Sequence, residues 1–305
     1  MHFELGFDFC TLTFELLLLL SIIISMNGKY IKVLDTQIYL YKMGSGPPLL
    51  FIHGHRSDVL RWRKMVELLA PHFTVYAPDL PGFGKSQTLL KGKHDLKTLS
   101  FYLKALVEKL DLKDLTIGGV SLGGMIGLLL AYQIQKRVRK LILLGTPSSS
   151  RYFKFSQKKM RFLKGLFFAV SHFPFSWVAN TCIKSDRLLG FLLNKSFPQE
   201  LQGNKPILSY EMKEWRIMPA QVHAQSALSA LNFELPKNYK LDIPVIIFAT
   251  HTDHLVDMDL AVKYLQKKAP VNQVIWLPMK RHVPIGDLDN YLVEILKPYL
   301  GPILV

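Results

Sequence analysis

One stretch constrains this chain more than any other: Leu115-Thr116-Ile117-Gly118-Gly119-Val120-Ser121-Leu122-Gly123-Gly124-Met125-Ile126-Gly127. It reads as a short apolar strand turning sharply into a helix, Gly123–Tyr132, with a serine at the bend. Gly119, Ser121 and Gly123 form the G-x-S-x-G pattern of a nucleophile elbow. So tight a bend strains the backbone at the serine and leaves no room for bulk two positions either side. In return the hydroxyl stands clear of the sheet, and the N–H of Leu122 at the helix N-terminus points at the space beside it.

The segments around the elbow alternate strand and helix. Tyr30–Leu34 and Gln37–Met43 read as an antiparallel hairpin around Asp35-Thr36. Leu49–His53 is a buried strand ending in His53-Gly54-His55, followed by a helix over Val59–Leu69. Phe73–Ala77 is a strand that runs into the loop Asp79–Ser86, and Leu96–Leu110 is an amphipathic helix with Leu99, Leu103, Leu106 and Leu110 on one face. Strand Lys140–Leu144 follows the elbow helix. After a long helical interval come strand Pro244–Ala249, helix Asp257–Lys268, strand Gln273–Leu277 and a closing helix over about Asp287–Leu300. This alternation predicts an α/β fold, a mostly parallel sheet covered by helices on both faces, with ligands beyond the carboxyl ends of the strands.

A serine hydroxyl at neutral pH needs a base, and the base needs a third group to orient it. Asp253, after strand Pro244–Ala249, is the candidate acid, and His282, after strand Gln273–Leu277, the candidate base. Asp257 competes with Asp253 but suits the first turn of the next helix, where a carboxylate is favoured. His251 and His254 are expected in the loop near the acid. The oxyanion donors expected are the backbone N–H groups of His55 and Leu122, with Gly54 letting the backbone approach. His53, Gly54, Phe162 and Trp177 are candidates to line a substrate pocket, and the side chains of His53 and His55 are expected to be structural or pocket-lining, not proton carriers. No histidine, cysteine or carboxylate spacing suggests a metal, and no cofactor is expected.

Taken together, His53-Gly54, Trp62, Asp79-Leu80-Pro81-Gly82-Phe83-Gly84-Lys85-Ser86, Gly119-Val120-Ser121-Leu122-Gly123-Gly124, Asp253 and His282 resemble the α/β-hydrolase superfamily, in its serine-nucleophile branch with a helical cap. The resemblance implies the α/β-hydrolase fold and a hydrolase. It does not select among esterases, lipases, thioesterases, C–C bond hydrolases, peptidases and acyltransferases. Serine at the elbow, where aspartate would stand, argues against the epoxide hydrolase and haloalkane dehalogenase branches. Arg281 departs from the pattern, since the family commonly has glycine before the histidine. The expected activity is hydrolysis of carboxylic esters through an acyl-enzyme on Ser121. The alternatives are C–C bond cleavage of a diketone-type compound on the same residues, or a ligand-binding member that does no chemistry.

Residues 148–240 interrupt the alternation and are expected to form a helical cap inserted in a core made of 29–147 and 241–305. This stretch carries fourteen Lys and Arg against five Asp and Glu, which is nine of the chain's fifteen net positive charges. A helix over Arg151–Val170 is expected to place Phe155, Phe162, Leu163, Leu166, Phe167 and Val170 on one side, with Lys154, Lys158 and Arg161 on another. Such a face either packs on the core or shields an apolar acyl pocket and touches an anionic membrane surface. The expected partner is a small, apolar or lipid-like ester. Nucleic acid is not expected, because no zinc-finger, RNP or helix-turn-helix signature accompanies the basic charge. Cys10 and Cys182 are too isolated for a disulfide framework.

Residues 1–28 form an apolar extension, nearly unbroken from Phe9 to Met26 except for Glu15. The segment lacks the basic start and small-residue cleavage site of a secretory signal. As an anchor it would leave the main domain in the cytoplasm, on the side of Lys29 and Lys32. The alternative expectation is that the native product starts at Met26.

Overall fold

The computed structural model describes residues 28–196, 205–279, 282, 288–299 and 301. The expected amino-terminal anchor, Arg281 and the expected helix start at Asp287 lie outside these residues. Among the described residues eight strands form one sheet in the order β1-β2-β4-β3-β5-β6-β7-β8. They are β1 (Gly28–Val33), β2 (Thr36–Met43), β3 (Pro48–Ile52), β4 (Thr74–Pro78), β5 (Leu115–Val120), β6 (Val138–Leu144), β7 (Val245–Ala249) and β8 (Val271–Trp276). β2 runs antiparallel to both β1 and β4, and every other neighbouring pair is parallel.

The sheet is apolar on both faces, so its inner strands feed two cores with alternate residues. In β3, Leu50 and Ile52 join one core while Leu49 and Phe51 join the other; in β7, Val245 and Ile247 oppose Ile246 and Phe248. The first core takes the buried faces of α2 (Leu96–Lys109), α3 (Leu122–Gln133) and α9 (Met258–Gln266). The second takes α1 (Arg63–Leu69) and α10 (Leu288–Leu296). α3 is buried nearly all round, as its Leu, Ile, Met, Ala and Gly content dictates. α2 shows the expected stripe: Leu99, Leu103 and Leu106 are fully buried, and Asp95 caps its start by accepting from the Thr98 N–H at 2.8 Å.

Between β6 and β7 the chain leaves the sheet and forms α4 (Gln157–Val170), α5 (Phe175–Lys184), α6 (Asp186–Ser196), α7 (Lys205–Trp215) and α8 (Ala220–Leu231). The helix expected from Arg151 begins six residues later. Phe153 pairs in an antiparallel bridge with Val256, and the Lys154 N–H donates to the Leu255 carbonyl at 2.9 Å, which holds this segment extended. Ser156 then caps α4, accepting from the Lys159 N–H at 3.2 Å. The single apolar side expected for this helix is also divided. Leu163, Phe167 and Val170 are half-buried, whereas Phe162 and Leu166 stand in the open.

A buried ionic cluster ties α7 to the loop after β3. Arg61 donates to Glu214 at 3.0 Å and to Glu211 at 3.4 Å, and all three side chains are buried. Burial pushes the Glu214 carboxyl up from its ordinary value against the charge of Arg61, while the glutamates outweigh the burial of Arg61 and keep its guanidinium charged.

Candidate active site

The bend after β5 is built as tightly as the glycines suggest. Ser121 has φ 51° and ψ −113°, a strained region for a residue with a side chain. Its N–H donates to the Leu144 carbonyl at 2.8 Å, and its carbonyl accepts from the Met125 N–H at 3.1 Å, so both arms of the bend are tied down. A methyl group at Gly119 would meet the Gly123 carbonyl oxygen at 2.6 Å and the Gly124 nitrogen at 2.7 Å. One at Gly123 would overlap the Ile52 carbonyl oxygen. The second contact brings the end of β3, with His53 and Gly54, against the start of α3.

Three side chains from separate strand ends converge here. Ser121 Oγ lies 2.8 Å from His282 Nε2, and His282 Nδ1 lies 2.6 Å from Asp253 Oδ2. The other oxygen of Asp253, Oδ1, accepts the N–H groups of Leu255 at 2.8 Å and Val256 at 2.9 Å. Burial pushes the Asp253 carboxyl up, but the hydrogen bond and charge of His282, with the Val256 and Leu255 N–H groups, outweigh it and hold the carboxyl below its ordinary value. The carboxylate therefore stays ionised and fixes the proton of His282 on Nδ1, which leaves Nε2 as an acceptor toward Ser121. A hydroxyl in this arrangement can give up its proton as it attacks an electrophilic carbon.

The loops that carry the pair are pinned to each other. Thr250 and Thr252 both donate their hydroxyls to the Met279 carbonyl, and His254 Nδ1 accepts the His282 N–H at 3.3 Å. Lys154 Nζ donates to the Asp253 carbonyl at 2.8 Å. Of these positioning groups, His254 was expected near the acid, whereas Lys154, expected on the polar side of the first cap helix, instead precedes that helix and braces the Asp253 loop. The threonines carried no signal, because a hydroxyl that braces a loop leaves no periodicity. Asp257 is the N-cap of α9, accepting from the Leu260 N–H at 3.1 Å, as expected for the competitor of Asp253.

Leu122 opens α3, so its N–H lies in the first turn, where no earlier carbonyl of the helix can take it. Gly54 packs beside the bend: a methyl there would sit 3.9 Å from Ser121 Cβ and 3.4 Å from the Val120 carbonyl oxygen. His55 follows directly. Its Nε2 faces the His223 carbonyl on α8 at 3.3 Å, and its ring stacks on that of His223 with centroids 4.5 Å apart.

The four pocket candidates take other positions. A cavity of about 20 Å³, room for a water molecule, touches Ser121, Asp253 and His282 and is walled by Trp62, Phe248 and Leu277 among others. His53, Gly54, Phe162 and Trp177 are absent from its wall. His53 is a buried strut: its Nε2 accepts the Leu80 N–H at 3.0 Å, and its Nδ1 donates to the Gly54 carbonyl at 2.9 Å. Burial pushes its imidazole down to about 4, which keeps it neutral in that role. Phe162 and Trp177 point outward from α4 and α5. Their apolar character was legible, but not which face of each helix would be covered.

A model of the alpha/beta hydrolase fold matches residues 47–287. Over 126 residues the chain is 29% identical to a 2-hydroxy-6-oxo-2,4-heptadienoate hydrolase of Pseudomonas putida, covering 40% of this chain and 46% of that protein. Over 117 residues it is 35% identical to a pimeloyl-[acyl-carrier protein] methyl ester esterase of Nitrosospira multiformis, covering 38% of this chain and 44% of that protein. The match thus spans under half the length of each of these relatives. Among solved structures, a thermophilic esterase from Thermogutta terrifontis superposes with a TM-score of 0.68 at 20% identity, over 92% of this chain and all of that one. At that identity the likeness is one of fold.

Proposed function

The chain belongs to the alpha/beta hydrolase fold family, and from that premise we propose that it is a serine hydrolase of carboxylic esters. The observation that carries the reading is the contact chain from Ser121 Oγ to His282 to Asp253, with heavy-atom distances of 2.8 and 2.6 Å. His282 takes the proton of Ser121 as Oγ attacks the ester carbonyl carbon. The N–H groups of Leu122 and His55 stabilise the charge that develops on the carbonyl oxygen. His282 then passes its proton to the leaving alkoxide as the acyl-enzyme forms. A water, deprotonated by the same imidazole, hydrolyses that ester and frees Ser121. Asp253 holds the imidazole throughout and stabilises its charged form.

In this reading residues 148–240 are the cap over the core, and the apolar wall beside Ser121, with Trp62, Phe248 and Leu277, favours an apolar acyl group. The similarity to the P. putida 2-hydroxy-6-oxo-2,4-heptadienoate hydrolase supports a second reading, C–C bond hydrolysis on the same three residues. A panel of p-nitrophenyl esters of rising chain length, a thioester and a diketone, run with the protein and with Ser121→Ala, tests both. Ester turnover that Ser121→Ala abolishes is the expected result. Turnover of the diketone alone selects the second reading, and unchanged activity in Ser121→Ala defeats both.

A further inference from the structure

The face that α4, α5 and α6 turn to solvent has an unusual make-up for a surface. Six aromatic side chains stand exposed along α4, α5, α6 and the turn between α4 and α5: Phe162, Phe168, Phe173, Phe175, Trp177 and Phe191. Phe173 is 80% exposed, Phe162 68% and Trp177 63%. Isolated exposed apolar residues need no account, but this many within thirty positions mark a surface that something covers. The opposite sides of the same helices are accounted for. Phe167 meets His223 of α8 edge to face, and Leu189 and Leu193 pack with Met212 and Trp215 of α7.

Cations are interleaved with these side chains at helical spacing. Lys158, Phe162 and Leu166 follow one another at four-residue steps on α4, all exposed. On α6, Leu188, Phe191, Leu192 and Lys195 form a second exposed stripe, with Arg187 four residues before Phe191. From residue 151 to 196 the sequence has nine Lys and Arg and one acidic residue, Asp186. Arg216 of the α7–α8 turn pairs with Asp186 at 2.6 Å, so the acidic charge of this segment is itself paired with a cation. No single described helix is long and apolar enough to cross a bilayer; α4 and α5 pass that test only as a pair, by length and composition, and are bent by 94° at the break between them.

We propose that this face docks on the surface of an anionic phospholipid bilayer. The aromatic side chains enter the headgroup and upper acyl region, where Trp and Phe partition well, and the surrounding Lys and Arg meet the anionic headgroups. Charge selects this occupant. Two copies of the chain face to face would oppose two strongly cationic surfaces, whereas an anionic bilayer supplies the complementary sign and an apolar layer beneath it. The docking is a property of the surface and holds whichever bond the site cleaves.

The test uses the full chain with vesicles of phosphatidylcholine alone or mixed with phosphatidylglycerol. So that any binding through the apolar amino-terminal stretch is scored apart, the readout is placed on the patch itself. Lipids brominated in their acyl chains should quench emission from Trp177, measured as the difference between the protein and Trp177→Phe. Phe173→Ser with Phe175→Ser should lower the apparent affinity about tenfold or more. Lys158→Ser with Arg161→Ser should weaken the preference for phosphatidylglycerol. Hydrolysis of a soluble short-chain ester, followed alongside, should be unchanged by these substitutions, so docking and chemistry are scored separately. Absence of Trp177 quenching, or Trp177 quenching that the phenylalanine pair leaves intact, would overturn the proposal. So would a concentration-dependent dimer that the same pair dissolves, which would make a second copy the occupant.

Discussion

Replacing Asp253 with asparagine changes one atom and should disable the site. Asp253 Oδ1 accepts two backbone N–H groups, from Leu255 and Val256, and Oδ2 accepts from His282 Nδ1. Asparagine has one acceptor oxygen for these two roles. If that oxygen stays with the two N–H groups, the amide NH2 confronts His282. If the amide turns over, the two buried N–H groups face a donor instead, at about 1–3 kcal/mol each. The first arrangement therefore wins, and it requires a lone pair on His282 Nδ1. The proton then resides on Nε2 and points at Ser121 Oγ across 2.8 Å, where it can accept nothing. The expected loss in kcat is about 10³–10⁴-fold, equivalent to about 4–5.5 kcal/mol of barrier, with KM nearly unchanged. Steady-state hydrolysis of a p-nitrophenyl ester measures it, with near-UV circular dichroism to show that packing is kept. A folded Asp253→Asn protein within tenfold of the parent would refute the argument that this carboxylate sets the tautomer.

Acid should weaken the fold before it protonates Asp253. Burial holds His53 down to about 4, and burial with the charge of Arg56 holds His55 down to about 3. A histidine depressed in the folded state binds its proton mainly when unfolded, so stability is full above about pH 6.5 and falls as pH drops below it, by about 2 kcal/mol per residue at pH 5. Urea midpoints from pH 7 to 5 read this directly, and a flat profile would contradict it. Glu214→Ala should cost about 3 kcal/mol in the same assay, because Arg61 stays buried with a more distant carboxylate. Gly119→Ala should cost about 3 kcal/mol or more, since its methyl would meet only backbone atoms; soluble yield and unfolding midpoint report it.

Much of this was legible because local chemistry and global fold agreed. The elbow strand, the glycines around Ser121 and the positions of Asp253 and His282 after their strands each follow from short-range pattern. The order of strands in the sheet did not. β3 lies between β4 and β5, a pairing set by crossovers that leave no trace in either strand. Of the two roles expected for the His53 side chain, structural or pocket-lining, the structure shows the first: its two nitrogens serve the backbone of Leu80 and Gly54. Phe162 and Trp177 looked like pocket residues because apolar side chains on a helix usually face inward, and here an exposed face holds them. Arg61 gave no sign of burial, since its partners Glu211 and Glu214 stand about 150 positions later.

The central claim is that Ser121 is made reactive by His282 and Asp253. Treatment of the native protein with a fluorophosphonate, followed by peptide mass spectrometry, tests it most directly. One phosphonyl group on the peptide that carries Ser121, absent after heat denaturation and strongly slowed in Asp253→Asn, is the predicted result. Ester turnover that survives with Ser121 unmodified, or with the adduct on another residue, would contradict it.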